Sequence, residues 1–130
     1  MNIKWVKFLQ DDSPEIAHRY LIEQLAANDA PHVFTFGHEP AFEVEHTDCL
    51  DDYPAERDAF WHSLEDAGAR TYFAGHDHFY DHARADDDGD PSNDIHQLVV
   101  GTAGAPPYTW SGVYDGDNGD YTLENLRHAR

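Results

Sequence analysis

Two short apolar runs in this sequence each close on a glycine followed by a histidine: Phe34-Thr35-Phe36-Gly37-His38 and Tyr72-Phe73-Ala74-Gly75-His76-Asp77-His78. Imidazole is a good ligand for zinc, iron and similar divalent ions, so three rings meeting at one place would form a metal centre. Gly37 and Gly75 permit tight turns that swing the following rings toward a shared point. Residues of alternating direction can aim His76 and His78 at neighbouring positions. A lone histidine usually has a surface or core explanation, and the chain holds 10 of them. What singles out His38, His76 and His78 is the matched placement of two Gly-His turns together with the His-x-His doublet.

Such rings need strands to hold them. The run His32-Val33-Phe34-Thr35-Phe36 reads as a buried strand, and Arg70-Thr71-Tyr72-Phe73-Ala74 repeats the pattern. Between them, Pro54 to Ala67 puts Phe60, Trp61 and Leu64 on one face, with Gly68 placed as a helix terminator. Strand, helix, strand implies a parallel pair. In an open α/β sheet, ligand sites gather just beyond the carboxyl ends of parallel strands, so both Gly-His turns are expected on one edge. Ser13-Pro14-Glu15 followed by Ile16, Tyr20, Leu21 and Leu25 predicts a helix from about Pro14 to Asn28. Tyr80 to Asp94 reads as a polar exposed loop, too long for a mere connection. Ile95 to Val100 predicts a third strand, and Tyr121 to Leu126 a weaker one after the turn-rich stretch 115–120. The fold class is α/β, a βαβ unit plus further strands, in a single domain spanning residues 1–130.

Bulk composition narrows the classes. At 130 residues one domain is expected, able to bury roughly two thirds of its unfolded surface. The single cysteine, Cys49, excludes an internal disulfide framework and Cys-rich zinc modules. Its acidic setting should raise the thiol pKa rather than activate it. The 8 basic residues against 26 acidic ones give a net charge of −18, a sign that repels nucleic acid and anionic lipid. Such self-repulsion suits concentrated salt or bound cations; the plainer reading is an acidic soluble protein. No apolar run reaches the roughly 18 residues of a membrane span, and Lys4, Lys7 and Asp11-Asp12 argue against a signal peptide in Met1 to Gln10. The compartment stays open.

The ordered set Gly37-His38-Glu39-Pro40, Gly75-His76-Asp77-His78 and Gly101-Thr102-Ala103-Gly104-Ala105-Pro106 resembles the C-terminal half of a calcineurin-like metallophosphoesterase, the superfamily that includes purple acid phosphatases. The resemblance covers roughly Tyr20 to Pro107. It implies a partial β-sandwich with flanking helices, and phosphate-ester hydrolysis supported by two metal ions (iron, manganese or zinc). His38 and His76 would hold one ion and His78 the other. Tyr80 and His82, just after the doublet, would line the substrate pocket; a structural anchor is the equal alternative.

The family's earlier motifs, Asp-x-His, Gly-Asp-x-x-Asp and Gly-Asn-His, are not upstream of Gly37. Asp94-Ile95-His96 and Gly116-Asp117-Asn118-Gly119-Asp120 match two of them literally, as a circular permutation would. Neither follows an apolar strand, and Gly-Asn-His is absent from the sequence. The expectation is therefore half a site, with no catalytic residue identified and one ion held by His38 and His76: the chain is either a truncated or degenerate relative without activity or needs a complementing N-terminal half, and an uncovered sheet face favours self-association. With no bridging carboxylate, two adjacent dications would repel each other. The rival reading is a non-catalytic acidic module that binds calcium or a partner through its loops. Asp86-Asp87-Asp88-Gly89-Asp90 clusters oxygen ligands as calcium loops do, yet Pro91 stands where an EF-hand needs glycine and Gln97 where it needs glutamate. Trp5, Phe8, Tyr20 and Trp61 are read as core packing.

Overall fold

A computed structural model of the chain describes residues 14–129, with side chains from residue 19 onward. The Met1 to Gln10 segment with Trp5 and Phe8, and the Ser13 cap, lie outside the described residues. The elements run α1 (Pro14–Ala26), β1 (Thr35–Phe36), a 3₁₀ turn (Leu50–Asp52), α2 (Pro54–Asp66), β2 (Thr71–Ala74), β3 (Tyr80–Asp86), β4 (Ile95–Val100) and β5 (Thr122–Ala129). One five-stranded sheet is formed in the order β1-β2-β4-β3-β5. β1, β2 and β4 are mutually parallel, whereas β3 runs antiparallel to both β4 and β5. The chain is thus mixed α/β.

α2 forms where the sequence places it. Pro54 opens it, and Gly68 at φ +74° closes it with Gly68 N–H donating to Glu65 O at 2.8 Å and Ala69 N–H to Leu64 O at 2.9 Å. This paired cap satisfies two carbonyls at the helix end and seats Ala69 against Leu64. The inward face of α2 carries Phe60, Trp61 and Leu64, all buried. Trp61 meets Phe42 and Tyr72 edge-on at 5.0 and 5.8 Å. Leu21 of α1, Phe79, Ile95 and Val99 complete this core.

Three expectations need correction. Tyr80 to Asp94 is not one loop: β3 occupies its first half, in an inner position of the sheet. Its alternation is built from Asp81, Ala83 and Ala85, all buried, so small and charged residues replace the apolar ones that normally reveal a strand. The first strand is a two-residue sheet edge rather than a buried run; Thr35 points inward while Phe34 and Phe36 stay 58% and 47% exposed. Phe36 stacks on Phe73 at 4.9 Å, which anchors the edge. Tyr20 is half exposed on α1, so it does not belong to the core, whereas Trp61 does. Among the described residues no helix is long and apolar enough to cross a membrane.

Candidate metal centre

Because β1, β2 and β4 are parallel, their carboxyl ends open on one edge, and both Gly-His turns follow there. Gly37 N–H donates to Phe73 O and Gly75 N–H to His38 O, each at 2.9 Å, so the two turns are stitched together. Glycine is required at two points for space. The Tyr72 hydroxyl, which donates to Glu39 O at 2.7 Å, occupies the place a Cβ on Gly37 would take. The carbonyl of Asp77 does the same at Gly101, which lets the end of β4 lie directly on the His76–His78 turn.

The rings of His38 and His76 meet edge-on with centroids 5.3 Å apart. His76 has φ 64°, a left-handed conformation that costs a side-chain-bearing residue roughly 1–3 kcal/mol. Sequence reasoning missed His46, whose ring lies 4.7 Å from that of His76. His46 Nδ1 lies 2.5 Å from Asp77 Oδ1, and the fully buried Asp77 carboxylate also accepts the backbone N–H groups of Glu45 and His46. His76 Nε2 pairs with Asp48 Oδ1 at 3.0 Å, and this hydrogen bond holds the Asp48 carboxyl below its usual range. Asp77, a mere spacer in the His-x-His reading, is therefore the buried orienting group of the cluster.

His78 stands one aromatic ring away. It stacks on Tyr108 at 4.3 Å, Tyr108 meets His46 at 4.9 Å, and His78 Nδ1 lies 3.2 Å from Pro106 O.

The segment carrying His46 and Asp48 has little regular structure, yet it is pinned at several points. Buried Gln97 of β4 accepts from Ala41 N–H at 2.8 Å and Phe42 N–H at 3.0 Å, and donates to Phe42 O at 3.0 Å. Asp51 accepts from Glu43 N–H at 2.9 Å and is ion-paired with buried Arg57. Arg57 also donates to Asp58 and to Asp117 O, and lies over the Phe42 ring at 4.6 Å. The 115–120 stretch is thus used to cap a buried guanidinium. Cys49 is buried here, its thiol pushed up to about 12; the direction is the expected one, but desolvation is the main cause and the acidic neighbours a lesser one.

The donor set was tested against a shared ion. Two imidazoles bound to one tetrahedral ion through bonds of about 2.1 Å place their centroids roughly 5 Å apart. The His38–His76 and His46–His76 separations both agree with that spacing. A buried carboxylate on Nδ1 of a ligating histidine fixes its tautomer and leaves Nε2 for an ion, the role Asp77 can fill for His46. His76 fits with each of the other two rings separately; the three do not bring ligand atoms within 4.8 Å of one another, so a common ion requires side-chain rotation.

Tyr80 opens β3 opposite Val100, at this same edge, and His82 lies two residues farther along the strand, opposite Leu98. His82 Nε2 contacts His96 Nδ1 of β4 at 2.7 Å, and Asp94 faces Arg84 at 3.3 Å. Asp94 and His96 thus engage partners of their own within the sheet. Both rings of the His82–His96 pair titrate below the ordinary histidine value; desolvation is the main cause, with His96 adding to it for His82 and Arg84 for His96. As pH falls through about 6.5 the unfolded chain takes up protons first, so this pair's contribution is complete above that pH and is lost below it. Glu65, pushed up to about 7 by burial and then Asp87, acts in the opposite sense. A His82→Gln/His96→Gln variant should therefore show a flatter fall in urea midpoint between pH 7 and 5 than the parent; an equal fall would contradict the assignment. A scan against protein-family models and a search of the curated proteins both return no match to this chain.

Proposed function

We propose that this chain supplies a histidine-built metal centre for phosphate-ester hydrolysis, one part of a calcineurin-like metallophosphoesterase site on part of a β-sandwich. The observation that carries the reading is the approach of the His76 ring, at the carboxyl ends of the parallel strands, to both His38 and His46, with buried Asp77 orienting His46. The resemblance of the Gly-His turns adds the phosphoester chemistry. His38, His46 and His76 would hold an ion of the iron, manganese or zinc class, and His78 would serve a second ion. Such an ion, when bound, polarises a phosphoryl oxygen and lowers the pKa of water. It would also let so acidic a protein accept an anionic substrate.

Asp77 fixes one ring by its hydrogen bonds, and Gly37 and Gly101 provide the space in which the turns approach. The carboxylates that would bridge two ions come from outside this cluster, through a complementing N-terminal segment or a second copy. Exposed Phe34 and Phe36 at the β1 edge, with Tyr20 and Ile22 on α1, favour such an association.

Metal content and turnover of an aryl phosphate, measured with added manganese, iron or zinc, test the reading. Metal bound through His38 and His76 with turnover supports a complete site, and metal bound without turnover supports the half-site form. His76→Ala should lose affinity for the ion at the His38 edge, at least about tenfold, while His82→Ala retains it. Equal losses in the two variants, or no metal bound by the parent, would overturn the proposal.

A further inference from the structure

The histidine edge is not the tightest grouping of ligand atoms. His62 and Glu65, three residues apart on one face of α2, and Asp87, just beyond β3, each place a ligand atom so that all three lie within 4.8 Å of one another. We propose that His62, Glu65 and Asp87 form a separate binding site for a zinc-class divalent cation, independent of the His38 cluster.

An imidazole with two carboxylates is a donor set that suits zinc, and three protein ligands leave a position for water. His62 Nε2 stands 3.6 Å from Asp87 Oδ2. His62 and Glu65 come from a firm element: Trp61 and Leu64 bury the adjoining face of α2, and the Gly68 cap fixes its end. Asp66 and Asp88 add like charge around Glu65, which His62 opposes only in part.

A second observation points to a ligand. Tyr121 is 95% buried by its 5% relative exposure, and its hydroxyl is sealed from solvent with no hydrogen-bond partner among the described residues. Its ring lies 5.8 Å from that of His62, and the carboxylates acting on the phenol most strongly are Glu65 and then Asp87. A buried hydroxyl without a partner is costly, and one beside a ligating histidine would gain an acceptor in a coordinated water. The neighbouring group Asp86, Asp88 and Asp94 is equally close, but Arg84 already faces the buried Asp94 carboxylate.

Zinc titration of the full chain in a His38→Ala/His76→Ala background separates this site from the one proposed above. One zinc per chain should remain. Affinity should fall tenfold or more on His62→Ala or Asp87→Asn, and about tenfold on Tyr121→Phe. Zero stoichiometry in that folded background, or affinity unchanged by His62→Ala, would overturn the proposal. Should the background variant fail to fold, histidine-ring ¹H–¹⁵N spectra of the parent decide: a His62 shift on zinc addition is expected, and its absence is the contrary result.

Discussion

Replacing Arg57 with leucine should lower the unfolding free energy by about 3–5 kcal/mol, because it strips the partner from a buried carboxylate. The Arg57 side chain is fully buried and that of Asp51 nearly so, which leaves solvent little room to take over. Loss of the guanidinium orphans Asp51 and the carbonyl of Asp117, and removes the cation held over Phe42. Thermal unfolding should move down on the order of 10–20 °C for a chain of this size. A double variant, Arg57→Leu with Asp51→Asn, should lose less than the sum of the two single changes, since it leaves no bare buried charge. Strict additivity would show that the pair contributes only bulk.

Gln97→Leu should cost roughly 3–9 kcal/mol, because three buried backbone groups lose their partners at once, at about 1–3 kcal/mol each. Those groups belong to Ala41 and Phe42, at the root of the segment that presents His46 and Asp48. The loss should therefore appear in metal affinity as well as in urea midpoint. Gln97→Glu keeps an acceptor for both N–H groups but faces Phe42 O with an oxygen, so its loss should be intermediate. A Gln97→Leu protein as stable as the parent would contradict this account of how the segment is held.

α2, β2 and β4 announce themselves, because their apolar residues recur at the period of the element and Gly68 marks a stop. β3 does not, because Asp81 is buried and satisfied by Tyr114, Asn125 and His128, residues far along the chain that no local pattern reveals. Burial raises the Asp81 carboxyl, and those three groups work against the rise. β1 misleads in the other direction: an aromatic, β-branched run suggests a buried strand, yet an edge position turns Phe34 and Phe36 outward.

The site follows the same division. His38 and His76 were visible because glycine and strand ends frame them. His46 lies in a segment without periodicity, and its only local signal is a carboxylate two residues on, at Asp48. Gln97, counted against a calcium loop, turns out to be the clamp that fixes that segment. Such roles depend on contacts 31 to 56 residues apart, as for Asp77 with His46 and Gln97 with Ala41.

Histidine-ring ¹H–¹⁵N spectra recorded during a zinc titration test most directly whether imidazoles from separate turns take hold of one ion. The rings of residues 38, 46 and 76 should shift together and saturate at the same zinc ratio, while those of 82 and 96 stay in place. Rings 38 and 76 that remain unmoved, or that saturate at different ratios, would contradict the account.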